Sequence, residues 1–118
     1  MDKFSITTPL TGEYLTTVRL TTGGLCSLVG FDVDTAEDFK VCVTESLLIL
    51  KRSGFLTATI SFTVGEALGC AISGQEQGGE KEDSAEDAIS HALLCALIGE
   101  VEFEKDENGG VRSIRFEG

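Results

Sequence analysis

The stretch Phe55-Leu56-Thr57-Ala58-Thr59-Ile60-Ser61-Phe62-Thr63-Val64 alternates apolar and hydroxyl side chains, with Leu56, Ala58, Ile60, Phe62 and Val64 on one side and Thr57, Thr59, Ser61 and Thr63 on the other. A period of two is the period of a β-strand, and an alternation this clean describes a strand with one dry and one wet face. The sheet it belongs to is therefore expected to be covered by helices on one side only.

Upstream lies a helical pattern. Phe39, Cys42, Val43, Leu47 and Leu50 share one face, and Asp34 three residues before Glu37 has the form of a capping box. The helix is expected to end near Ser53-Gly54. Before it, Tyr14, Leu15, Val18, Leu25, Leu28 and Val29 recur at helical spacing, although threonines and Gly23-Gly24 interrupt the run, and Phe4-Ser5-Ile6-Thr7 reads as a short strand ending at Pro9.

Downstream, residues 67 to 73 form a second strand, followed from Gly74 to Asp83 by a polar, glycine-bearing segment read as a mobile loop. Ser84 and Asp87 are placed to cap a third helix whose Ala85, Ala88, Ile89, Ala92, Leu93, Ala96 and Leu97 form an apolar stripe ending at Gly99. Val101 and Phe103 alternate with Glu100, Glu102 and Glu104, and Asn108-Gly109 turns the chain into a last strand from Val111 to Phe116. The expected fold class is α+β, a two-layer α/β sandwich in one domain spanning residues 1–118. Its mixed, mostly antiparallel sheet is covered on one face by about three helices.

With 118 residues, 42% of them hydrophobic, the chain is the length of one domain with one core. Its 20 Asp and Glu against 9 Lys and Arg give a net charge of -11, and no basic stripe interrupts it, which argues against nucleic acid as a partner. Neither a signal peptide nor a membrane span is read, so no membrane association is expected and the localisation is cytoplasmic. Cys26, Cys42, Cys70 and Cys95 lack the paired spacing of a zinc site or redox dithiol, so they read as reduced thiols and no metal is expected.

Three stretches carry a family resemblance: Tyr-Leu-Thr-Thr-Val-Arg-Leu at 14–20, Gly-Phe-Asp-Val-Asp-Thr-Ala-Glu-Asp-Phe-Lys-Val-Cys-Val-Thr-Glu at 30–45, and Ala-Leu-Leu-Cys-Ala-Leu-Ile-Gly-Glu-Val-Glu-Phe at 92–103. With the element order, they resemble the anti-sigma-factor serine kinases, a branch of the histidine-kinase-like ATPases. That resemblance implies an α/β sandwich with ATP held between helices and a lid. It also implies a Glu-x-x-x-Asn word, in which the glutamate is the general base and the asparagine holds magnesium.

The matching word is Glu45-Ser46-Leu47-Leu48-Ile49, so Glu45 occupies the base position while Ile49 stands where a magnesium ligand is implied. Isoleucine offers no oxygen to a hard cation. The family's Asp-x-Gly-x-Gly word, which receives the adenine, corresponds to Ser73-Gly74-Gln75-Glu76, which has no aspartate; Gly74 and Glu76 occupy degenerate nucleotide-site positions. The glycine-rich phosphate word before the last helix is replaced by Glu80-Lys81-Glu82-Asp83-Ser84-Ala85-Glu86-Asp87. Counting Glu76, six carboxylates face the single ammonium of Lys81 there, an arrangement that repels a triphosphate.

Other candidates read more simply as structure. His91 and Ser90 have no catalytic partner in the sequence, Lys51-Arg52 suits the C-terminal end of a helix, and the glycines of 74–79 are a weak phosphate signal. The leading expectation is a non-catalytic, anti-sigma-factor-like regulatory domain acting by protein binding in bacterial transcription control. By resemblance its partners are a sigma factor or an anti-anti-sigma (STAS) protein, with a homodimer as a further arrangement. The alternative is a divergent ATP-dependent protein serine kinase retaining ATP, magnesium and Glu45. A third reading is a small-molecule sensor with an apolar pocket around Ile49.

Overall fold

The computed structural model describes residues 2–80, 85–107 and 109–118, with the side chain of Ala85 excepted. The elements run β1 (Asp2–Pro9), α1 (Gly12–Leu28), α2 (Val33–Arg52), β2 (Phe55–Val64), β3 (Leu68–Gln77), α3 (Ala85–Ile98), β4 (Val101–Lys105) and β5 (Val111–Glu117). The strands form one five-stranded sheet in the order β1-β2-β3-β5-β4, with every described pairing antiparallel. The fold is α+β, a two-layer sandwich of one sheet and three helices, as the alternation of β2 and the helical periods predict. Strand order follows from hairpin connections between β2 and β3 and between β4 and β5, which antiparallel neighbours permit.

The dry face of the sheet carries Ala58, Ile60 and Phe62 from β2, Leu68, Cys70 and Ile72 from β3, and Val111, Ile114 and Phe116 from β5, all buried. Against them lies α2, whose Phe39, Cys42, Val43, Leu47, Ile49 and Leu50 are completely buried. Phe39 meets Phe116 edge-on at 5.3 Å between ring centroids and Phe31 at 5.8 Å, within the range where tilted aromatic pairs attract. On the open face, matching registers place hydroxyls opposite one another. Ser5 Oγ lies 3.3 Å from Ser61 Oγ, and Thr7 Oγ1 2.9 Å from Thr59 Oγ1. Further along, Arg112 pairs with Glu104 and Arg115 reaches Glu102 at 3.5 Å.

Several expectations need correction. The cap of α2 is Asp32, whose Oδ1 accepts the Thr35 N–H at 2.7 Å; Asp34 already lies in the first turn, and Glu37 pairs with Lys40 at 2.5 Å instead of closing a capping box. The Thr35 bond holds the Asp32 carboxyl below the usual carboxylate range. β1 extends beyond both ends of the four residues first read as strand. Leu56 is not on the dry face: the pairing of β2 with β3 shifts register between Phe55 and Thr57 and again between Thr57 and Ala58. This irregularity turns Phe55 inward to 8% exposure and leaves Leu56 at 44%.

β3 runs on to Gln77, so Gly74, Gln75 and Glu76 belong to the sheet and not to a loop. The N–H groups of Gly78 and Gly79 both donate to the Gly54 carbonyl, at 3.2 and 3.0 Å, which ties the chain after β3 to the end of α2. The Ser84 cap, the Asn108 half of the last turn and the acidic positions Glu82 and Asp83, with Lys81, lie outside the described residues. Asp87 sits inside α3, not at its cap.

The inward Phe55 explains why Gly74 carries no side chain: a Cβ there would overlap atoms of the Phe55 ring. Gly74→Ala is expected to destabilise the chain by about 1–3 kcal/mol, the usual cost of overpacking. In urea denaturation, a double-mutant cycle with Phe55→Leu should show the penalty shrinking when the ring is removed.

Candidate functional site

Of the positions that the family resemblance assigns to nucleotide chemistry, Glu45 and Ile49 lie on α2, whereas Gly74 and Glu76 lie in β3. Glu45, Ile49 and Arg52 stand at i, i+4 and i+7 on α2, a single helical face, and α3 lies along that face. Ile49 is completely buried between two polar neighbours.

Arg52 is 8% exposed and reaches across to α3 with all of its guanidinium. Its Nε donates to Asp87 Oδ1, its Nη2 donates to Ser90 Oγ at 2.7 Å, and its Nη1 lies 3.8 Å from Glu86 Oε2. Ser90, 3% exposed, passes the contact on by donating its hydroxyl hydrogen to Glu45 Oε2 at 2.7 Å. The result is a chain from Glu45 through Ser90 to Arg52 and Asp87. The planar fork of an arginine suits it to hold several oxygens at once from a buried position. No buried side-chain nitrogen or oxygen among the described residues lacks a partner.

Sequence reasoning saw the members of this chain but not their union. Ser90, read as lacking an acidic partner, bonds to Glu45, and Arg52, read as a helix-end charge, spans two helices. The available signal was the seven-residue spacing of Glu45 and Arg52 together with the three-residue spacing of Asp87 and Ser90, two complementary polar faces. The apolar stripe of α3 concealed it. Ala88, Ile89, Ala92 and Ala96 of that stripe face outward, whereas the inner side carries Asp87, Ser90, His91 and Leu94, with Leu97 and Ile98 partly covered. Helical periodicity located the helix but not its rotation, because both sides are apolar enough to qualify.

The arrangement does not suit ATP with magnesium. Ile49 has no oxygen and no exposure, Glu45 is engaged by Ser90, and Arg52 closes α2 onto α3 where the resemblance would set a nucleotide. At the adenine word, the Phe55 ring covers the inner side of Gly74, and Glu76 is exposed. The N–H groups of Gly78 and Gly79, the donors a phosphate would need, are spent on the Gly54 carbonyl. Two depressions of about 300 and 700 Å³ lie along the open face of the sheet, and neither is lined by Glu45, Ile49 or Arg52.

His91 stacks on Phe103 of β4, with ring centroids 4.3 Å apart and planes 18° from parallel. Burial pushes its pKa down, with Lys105 and Arg52 acting in the same sense and Asp87 opposing. Of the cysteines, Cys26, Cys42 and Cys70 are buried and Cys95 is exposed. Burial raises all three buried thiols, Cys42 to about 12. Among the described residues no group of three or more His, Cys, Asp or Glu is placed to hold a metal ion, and no helix is long and apolar enough to cross a membrane. A scan against protein-family models and a search of curated proteins each find no match for this sequence.

Arg52→Met is expected to cost about 1–3 kcal/mol in chemical denaturation, below the cost of breaking a fully buried pair because Asp87 retains 34% side-chain exposure. The His91 pKa is lowered on folding, so the unfolded chain binds the proton more readily. Stability should therefore fall as pH drops through about 6.5, the unfolded value, towards the lower folded one. As the only histidine in the chain, its replacement in His91→Phe should flatten the urea midpoint between about pH 7.5 and 5.5.

Proposed function

We propose that the chain is a non-catalytic regulatory domain of the anti-sigma-kinase kind, acting by protein binding. The observation that carries the reading is the closed seam between α2 and α3. The Glu45-Ser90-Arg52-Asp87 chain and the buried Ile49 occupy the region where the resemblance would place nucleotide and metal. A kinase of this kind needs an exposed base and an oxygen-lined magnesium site at that point. Here the carboxylate is tied to a buried hydroxyl and the metal position is a hydrocarbon.

Electrostatics favours the same reading. Among the described residues Asp87 and Glu86 pair with Arg52 and Ser90 bridges Glu45 to it, in a chain whose net charge is -11. A polyphosphate brought there meets repulsion, whereas a protein partner with a basic surface meets attraction. The partners implied by the resemblance are a sigma factor or an anti-anti-sigma protein of the STAS type, and regulation would consist of holding such a partner in the cytoplasm.

Titration calorimetry with ATP, with and without magnesium, tests the non-catalytic half: no heat of binding is expected in either case, and magnesium-dependent binding would return the kinase reading. Co-purification with the sigma factors and STAS proteins of the host tests the other half. Retention of one of them at a fixed stoichiometry is expected, and failure to retain any overturns the partner class.

A further inference from the structure

α3 carries an apolar outer side that the fold leaves open. Its inner side carries the polar chain and Leu94, which is completely buried. Its outer side presents Ala88, Ile89, Ala92, Cys95 and Ala96, all exposed, with Ile89 at 66%. Contiguous apolar surface left open on a folded chain marks a site of interaction. Ala88, Ala92 and Ala96, spaced by four, form a low ridge that lets another helix backbone approach closely, and Ile89 stands beside the ridge as a knob.

Charge selects the occupant. The last turn of α3 holds no basic residue, exposed Glu100 follows its C-terminal end, and the chain as a whole carries a net charge of -11. A second copy, packed in either direction, would bring together two chains of that same charge. An amphipathic helix with Lys or Arg flanking an apolar stripe meets the ridge and complements the negative charge around it.

The geometry points to the outer face of α3 as a docking surface for a basic amphipathic helix of a partner protein. This assignment rests on the protein-binding reading above and gives that reading a face. Cys95 lies on the face and is the one exposed cysteine, so its alkylation reports whether the face is covered while the buried thiols stay silent.

The test measures iodoacetamide alkylation of Cys95 in the whole chain with two synthetic peptides of about 18 residues, enough to span α3. Both carry one leucine face; one is flanked by lysine and the other by glutamate. The basic peptide is expected to slow alkylation about tenfold at saturation, the acidic peptide to leave it unchanged, and Ala92→Lys to weaken the basic peptide's affinity about tenfold. Circular dichroism and the urea midpoint of Ala92→Lys should match the wild type, because the position is exposed and lysine is a good helix former. Equal protection by both peptides, protection by neither, or protection that grows with protein concentration in the absence of peptide each overturns the proposal, the last in favour of a second copy. A host partner that binds the chain but leaves Cys95 reactive overturns this surface alone and leaves the protein-binding reading standing.

Discussion

The structure depends on the burial of α2. One helix lies over β2, β3 and β5, and both other helices make their principal contact with it. Its Phe39, Cys42, Val43, Leu47 and Leu50 have no exposure, so each turn from Phe39 onward contributes at least one side chain removed from water. Burying a large apolar side chain stabilises by about 1.5–3 kcal/mol, and a helix carrying several such residues dominates the energetics of a domain this small. The remaining elements are placed by what that helix leaves uncovered. α1 closes one flank of it, α3 closes the other, and the sheet turns its hydroxyl face to water because none of the described helices covers that side.

The parts legible in the sequence were those where one physical signal acted alone. β2 alternates and α2 has a single apolar face, so both were readable, and the two-layer architecture followed from them. Legibility failed where signals competed. The register shift at Phe55 and Thr57 depends on pairing with β3, a nonlocal event that the local alternation contradicts. The cap of α2 was read at Asp34 from its spacing to Glu37, whereas the extended backbone at Asp32, two residues earlier, brings that carboxylate to the Thr35 N–H. The rotation of α3 was hidden because its outer side is the more apolar one, while the inner side carries Asp87, Ser90 and His91 beside Leu94. There a buried arginine, not hydrophobicity, sets which side faces α2.

The seam between α2 and α3 is held by polar contacts. Glu45 accepts a hydrogen from Ser90, whose hydroxyl in turn accepts one from Arg52, and the set acts as cohesion between helices. Burying a guanidinium is costly unless its donors are satisfied, and here Asp87, Ser90 and Glu86 share that task. Such a network is specific in geometry, because an apolar seam could slide whereas a forked set of hydrogen bonds fixes both rotation and offset.

α1 has a consequence of another kind. Gly23 and Gly24 lie within it together with Thr16, Thr17, Thr21 and Thr22, Thr11 makes no side-chain cap, and no basic residue occupies its last turn. Relative to alanine, each glycine costs about 1 kcal/mol and each threonine about half that, so the segment has little helical tendency of its own. What holds it is contact: Val18, Leu25 and Cys26 are buried, and the Lys40 stem of α2 lies beside Gly23. Its order is therefore borrowed from its neighbour. In native-state hydrogen exchange such a segment opens before the rest, because its amides are protected only for as long as the docking contacts hold, and the chain has a stable platform with one detachable flank.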